Sequence, residues 1–167
     1  VTTFASNIAR LETILAAATI SKRRVALTGR SMHRMTQAAQ DSGYIKDDVF
    51  INEKEMCRFK KEQLLIIATG CQGEPLAAIN KMATDSHPSV KLSSEDTVIF
   101  SSKIIPGNEK KIFRLFNTLV RMKVEVITER EHFVHVSGHP YLEDLKKMYE
   151  LVTPKIAIPV HGEPLHI

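Results

Sequence analysis

The residues of this 167-residue chain whose types and spacing could do chemistry are a few histidines, one glutamate and a set of loops rich in glycine and hydroxyls. His139 closes Phe133-Val-His-Val-Ser-Gly-His139, and His161 follows Ile156-Ala-Ile-Pro-Val160, so each stands beside glycine at the end of an apolar segment. A histidine in such a place can ligate a metal or move a proton, and it can equally be a satisfied structural side chain. Glu74, in Thr69-Gly-Cys-Gln-Gly-Glu-Pro75, is read as a carboxylate at a helix start, where the dipole favours it, or as a functional group. Three further loops share this character: Thr28-Gly-Arg-Ser31, Ser101-Ser-Lys103 and Ser137-Gly-His139. Glycine lets backbone N–H groups turn toward a ligand, and a following helix N-terminus adds partial positive charge, which together make an anion site. Glycines and serines also simply make turns; it is their recurrence after successive apolar segments that points to a ligand-binding edge.

Other candidates are set aside. His132-x-x-His135-x-x-x-His139 has metal-ligand spacing only on a helix, whereas Phe133, Val134 and Val136 are strand formers. In a strand His132 and His135 face opposite ways. Cys71 sits in a glycine loop, where a lowered pKa would make it a nucleophile. A cysteine phosphatase would need arginine at position 77, which is alanine, so packing in a tight turn is the preferred reading. His33, His87 and His166 have no motif context and are read as surface or local structural residues.

The elements that must position these groups alternate. Helices are expected over 4–20, 32–41, 76–83, 109–122 and 141–151, the last because Leu142, Leu145, Met148, Tyr149 and Val152 recur at helical spacing. Short apolar segments at 25–27, 49–51, 64–68, 97–100 and 124–127 read as strands, and Leu64-Leu-Ile-Ile-Ala68 has the continuous character of a strand buried on both faces. This is the pattern of an α/β fold with a mostly parallel sheet flanked by helices. Residues 133–163 read as a strand–helix–strand unit, whose right-handed crossover would bring His139 and His161 to one sheet edge. Ligands bind at the carboxyl edge of such sheets.

Composition sets bounds. The 43% hydrophobic content suffices for one ordinary domain, or one plus a piece, and no apolar run reaches membrane-spanning length. The N-terminus lacks the basic-then-apolar layout of a signal peptide, so a cytoplasmic location is expected. Cys57 and Cys71 form no disulfide framework or zinc motif. A net charge of +4 is compatible with a nucleic-acid partner without demanding one. The start at Val1 without Met, and the end four residues after Glu163, lead us to expect an excised piece of a larger enzyme.

Taken together, Thr69-Gly-Cys-Gln-Gly-Glu-Pro75, Ser101-Ser-Lys-Ile-Ile-Pro-Gly-Asn-Glu109, His135-Val-Ser-Gly-His139 and Pro159-Val-His-Gly-Glu163 closely resemble the ribonuclease J family, β-CASP members of the metallo-β-lactamase superfamily. Phe4-Ala-Ser-Asn7 and Gly29-Arg-Ser-Met32 match as well, so the resemblance spans nearly the whole chain in order. It implies a β-CASP domain over about 1–130 and the beginning of the returning metallo-β-lactamase segment over 131–167. It further implies a zinc-dependent ribonuclease that cuts RNA internally and from the 5′ end, with RNA lying between the two domains. By this resemblance Glu74 and His139 are catalytic residues and His161 is a metal ligand. Histidine at position 161 also favours RNA over DNA. Arg30, Ser31, Ser101, Ser102, Ser137 and Gly138 are the implied RNA- and phosphate-binding residues. Cys71 departs from the family's usual serine. The His-x-His-x-Asp-His segment that supplies most zinc ligands is absent from the 167 residues. Two zinc ions are therefore expected in the full-length enzyme, none stably bound by this piece, and no cleavage by it alone. RNA is the expected partner and a homo-oligomer the expected state of the whole enzyme. Two other classes are carried as rivals: a stand-alone nucleotide- or phosphate-binding α/β enzyme, and a non-catalytic RNA-binding module.

Overall fold

In the computed structural model, which describes residues 1–159, the chain divides into two units, Val1–Val136 and Ser137–Ile167. The first unit begins with α1 (Ile8–Ile20), capped by Asn7, whose Oδ1 accepts from the Arg10 amide at 3.0 Å. It continues with β1 (Arg24–Thr28), α2 (Arg30–Asp41) and β2 (Phe50–Ile51). Two 3-10 turns, Glu53–Arg58 and Lys61–Gln63, lead to β3 (Leu64–Ala68) and α3 (Ala78–Ala83). The unit is completed by β4 (Thr97–Ile99), α4 (Glu109–Arg121) and β5 (Glu125–Ile127).

All strand pairs are parallel, in the orders β2-β1-β3 and β4-β5. Residues 1–3 join the two. Thr2 bridges Ala68 on one side and Phe100 on the other. Its N–H donates to Ile99 O at 2.8 Å, and its carbonyl accepts from Ser101 N at 2.9 Å. Val1 O accepts from Ala68 N at 2.9 Å. The parallel order is therefore β2-β1-β3, then residues 1–3, then β4-β5.

Alternation along β1 sorts the core into two layers, because successive side chains of a strand face opposite sides. Val25 and Leu27 pack with Leu11, Ile14 and Ala18 of α1 and Met32 and Ala39 of α2. Ala26 faces the other way, into a cluster with Ile79 and Met82 of α3, Leu115 and Leu119 of α4, Val98 and Phe100. Helices cover both faces, as parallel sheets require. The expected α/β class is what forms.

One expectation is overturned. In residues 133–159 only the helix of the strand–helix–strand unit forms, as α5 (Leu142–Val152). Phe133–Val136 and 156–159 make no strand pairing among the described residues. Apolar, β-branched composition creates a tendency toward extended backbone, but a strand exists only where a neighbour takes its N–H and C=O groups. Phe133 is 91% exposed and Ile156 and Ile158 are each 78% exposed. The crossover that would carry His139 and His161 to one edge is thus not found, and His161 lies outside the described residues. No helix among the described residues is long and apolar enough to cross a membrane.

His87, read from sequence as a local structural residue, ties β1 to the loop after α3. Its Nδ1 accepts from the Ser89 and Val90 amides, both at 3.2 Å, so Nε2 carries the proton and donates to Thr28 Oγ1 at 2.8 Å. Protonating Nδ1 would set an N–H against two N–H donors. Burial is the first cause that lowers its pKa below the usual 6.5; Glu53 opposes and Lys81 reinforces the shift. The unfolded chain therefore binds the proton more readily, so stability falls as pH drops below about 6.5. In urea titrations between pH 7.5 and 5.5, His87→Gln should shrink that fall, and an undiminished fall would show that another group carries it.

Candidate functional site

Because the strands are parallel, their carboxyl ends lie on one edge, and each runs directly into a loop. Thr3 leads to Phe4–Asn7 and the start of α1; Thr28 leads to Gly29 and the start of α2; Ala68 leads to 69–77; Phe100 leads to Ser101–Lys103. Three of the five loops singled out from sequence therefore share this edge. A cavity of about 670 Å³ in the first unit is lined by Leu64, Ile66, Thr97 and Val98 among others, and by no residue of these loops.

The loop after β3 is built from buried polar pairs. Thr69 Oγ1 accepts from Ala78 N at 3.3 Å, and Thr69 O from Ile79 N at 3.0 Å, which fixes the start of α3. That start is Ala78, two residues later than expected, so Pro75 does not open the helix. Glu74 is consequently not at a helix start. Its carboxylate is exposed, and Oε2 accepts from the Gln72 amide at 3.0 Å. The helix-dipole reading of Glu74 is corrected: the exposed carboxylate caps the turn at Gln72 rather than a helix.

Gln72, which sequence reasoning passed over, is 5% exposed and latches the loop after β4 to the loop after β3. Its Nε2 donates to Lys103 O at 2.9 Å, while Oε1 accepts from Ile105 N at 2.9 Å and Asn108 Nδ2 at 3.3 Å. The only sequence signal was a glutamine between glycines. Beside it, burial pushes the Cys71 thiol up to about 11, outweighing hydrogen bonds from Ser102 and Gln72. A neutral, 3%-exposed thiol is no nucleophile, and the packing role read from sequence is the one the geometry supports.

Arg30 and Ser31 occupy the first turn of α2, where both are exposed. Helix N-terminal amides at that position suit an anion. Ser101 and Ser102 are buried, at 4% and 5% exposure. Ser101 Oγ donates to Val134 O at 2.6 Å, and its carbonyl accepts from Thr3 Oγ1 at 3.1 Å. The same Val134 carbonyl accepts from Arg10 Nη1 at 3.0 Å, and Val136 O from Arg10 Nη2 at 3.4 Å. His135 lies between, half-buried, with its pKa lowered first by burial and then by the Arg10 charge.

In the second unit Ser137, Gly138 and His139 are all exposed, and Ser137 Oγ accepts from His139 N at 3.1 Å. Every described residue of α5 is exposed, and its N-terminus is tied by Asp144 Oδ2 accepting from Tyr141 N at 3.1 Å. Among the described residues no group of three or more His, Cys, Asp and Glu side chains is placed to hold a metal ion. The described residues thus do not by themselves make a zinc centre.

A parallel sheet covered by helices on both faces, with hydroxyl- and glycine-bearing loops along its carboxyl edge, defines an α/β ligand-binding domain. The family model described as "Ribonuclease J, beta-CASP domain" matches residues 1–119, and "Zn-dependent metallo-hydrolase RNA specificity domain" matches residues 123–167. The chain belongs to the ribonuclease J family. It is 42% identical to a Ribonuclease J of Sinorhizobium meliloti, over 100% of this chain and 30% of that protein. It is also 41% identical to one of Synechocystis, over 98% and 26%, and 39% identical to one of Thermus thermophilus, over 99% and 29%. The chain therefore spans about a quarter to a third of the length of these curated relatives. The description of the second model names a zinc-dependent metallo-hydrolase, so the family is one with a metal cofactor.

Proposed function

We propose that this chain is the β-CASP domain, about residues 1–130, and the start of the returning metallo-β-lactamase segment, 131–167, of a metal-dependent ribonuclease. The whole enzyme cuts RNA internally and from the 5′ end, in RNA processing and decay. The observation that carries this reading is the match of two consecutive family models, over 1–119 and 123–167, to a chain whose parallel strands deliver their loops to one edge.

The residues divide by exposure. Arg30 and Ser31, exposed at the start of α2, take RNA phosphate, as do Ser137 and Gly138. Ser101 and Ser102 are buried and pack the loop after β4 rather than meeting solvent. Glu74, whose carboxylate is exposed, orients a neighbouring proton carrier, and His139 steadies the reacting phosphate. His161 is assigned as a metal ligand in a centre of two zinc ions that belongs to the whole enzyme. RNA is the partner, the enzyme is a cytoplasmic homo-oligomer, and this piece is inactive alone.

In the full-length enzyme, His139→Ala should lower the cleavage rate of a 5′-monophosphorylated single-stranded RNA by about 10²-fold or more, the usual cost of removing a donor that stabilises transition-state charge. His161→Ala should abolish cleavage. Unchanged cleavage in either variant would overturn its assigned role, and in both would overturn the ribonuclease reading.

A further inference from the structure

We propose that Arg10 is a positioning residue of this site, a reading that rests on the ribonuclease function proposed above. Together with Ser101 it clamps the backbone stretch that runs directly into Ser137-Gly138-His139.

The geometry is a two-pronged grip. Arg10 projects from the first turn of α1, whose N-terminus lies on the carboxyl edge of the sheet. Its Nη1 donates to Val134 O at 3.0 Å and its Nη2 to Val136 O at 3.4 Å, across 124 and 126 positions of sequence. Ser101 Oγ, from the loop after β4, adds a third donor on Val134 O at 2.6 Å. One carbonyl thus receives donors from the first turn of α1 and from the loop after β4.

Two features separate this grip from an ordinary surface contact. Arg10 is half-buried and pairs with no carboxylate among the described residues, so its guanidinium serves backbone carbonyls. A planar fork with fixed donor directions matches two carbonyls of one extended segment, which a lysine ammonium cannot. Few other bonds hold the gripped segment: Val134 N donates locally to His132 O at 2.8 Å, and the His135 ring meets the Ser101 backbone. Val134–Val136 pairs with no strand among the described residues, and the adjoining Phe133 is 91% exposed. Without Arg10 and Ser101 these carbonyls would turn to water, and the chain entering Ser137 would have no fixed point of departure. A displacement of about 1 Å at a reacting group can cost about 10²-fold in rate. A clamp on the stem is therefore a means of holding His139 to its task without touching substrate.

The test uses the full-length enzyme carrying Arg10→Met, Arg10→Lys or Ser101→Ala, and the double variant Arg10→Met/Ser101→Ala. Arg10→Met should lower kcat on single-stranded RNA by about 10- to 100-fold. KM and the melting temperature should stay close to wild type, since neither substrate contacts nor the core change. Arg10→Lys should restore only part of kcat, because one prong is lost. The double variant should cost less than the product of the single effects, since both residues hold one carbonyl. Chymotrypsin supplies a readout independent of activity: Arg10→Met should speed nicking after Phe133, because the segment must leave its clamp to enter the protease. Unchanged nicking would overturn the clamp, and faster nicking with unchanged kcat would overturn the positioning role. Failure of the wild-type enzyme to cleave RNA while nicking follows the clamp would instead overturn the ribonuclease reading.

Discussion

Gly73→Ala should lower the melting temperature by roughly 10 °C, the shift that about 3 kcal/mol produces in a domain of this size. Gly73 has φ +73°, a backbone region that costs an L-residue about 1–2 kcal/mol. A Cβ built there would lie 2.7 Å from Lys111 C and 2.9 Å from both Ile112 N and Lys111 O. Those atoms are backbone at the first turns of α4, so no side chain can swing aside to relieve the overlap. Forced overpacking of this kind adds about 1–3 kcal/mol. Ile112 is fully buried, so displacing its amide also disturbs the layer that α4 makes with Phe100. Gly43 supplies the control: its φ is +76° and nothing lies within 4 Å of a Cβ there. Gly43→Ala should therefore cost the backbone strain alone. Equal losses in the two variants, measured by thermal unfolding, would show that the close approach of Gly73 to α4 contributes nothing.

The second large effect is expected at Gln72. Gln72→Leu keeps the volume but leaves Ile105 N–H and Lys103 C=O without their partner at a part-buried site. An unsatisfied buried polar group costs about 1–3 kcal/mol, so a loss of about 2–4 kcal/mol is expected in urea unfolding. Gln72→Glu is the informative companion. Its shape is nearly unchanged, and one oxygen still accepts from Ile105 N and Asn108 Nδ2. The other oxygen replaces the donor and faces the Lys103 carbonyl. Only the protonated acid restores that donor, so the fold holds the proton more tightly than the unfolded chain. The deficit of Gln72→Glu relative to wild type should consequently narrow as pH falls toward the ordinary glutamate pKa of about 4.3. A deficit independent of pH would mean that the Nε2–Lys103 bond does not hold the loop. Since this latch sets where Ser101–Lys103 lies against Thr69–Glu74, the same variants probe how rigid the proposed RNA-binding edge must be.

Much of this arrangement was legible before any coordinates. Leu64-Leu-Ile-Ile-Ala68 reads as a strand of the kind buried on both faces, and it forms β3, half-buried over its first three residues and buried at Ile67 and Ala68. The helix expected over 109–122 is α4; of its apolar stripe Ile112, Phe113, Phe116, Leu119 and Val120, Ile112 and Leu119 are buried while Phe113 and Val120 are exposed, and Leu115 completes the buried face. The alternation of such segments implied parallel strands, and parallel strands place their following loops on one edge whatever the details of packing. Hence Arg30, Ser31, Glu74 and Ser101 could be assigned to that edge from spacing alone.

The pairing across distance could not be read. Val1-Thr-Thr3 carries no periodicity, yet Thr2 joins the two halves of the sheet through Ala68 and Phe100. Phe133–Val136 carries a strong strand signature, yet it pairs with no strand and is held by Arg10 and Ser101. Propensity is a property of a residue and its neighbours, whereas a hydrogen-bonded strand is a property of two segments. Buried polar partners escape for the same reason: Thr28 with His87, and Gln72 with Lys103, Ile105 and Asn108, are spatial pairs with no spacing rule. By itself the sequence determined the class of fold, the common edge of its glycine- and hydroxyl-bearing loops and the family to which the chain belongs, because these depend on local periodicity and contiguous motifs. Only the tertiary structure decided which edge residues face solvent and which are buried, because exposure of a hydroxyl or carboxylate depends on what distant segments place against it.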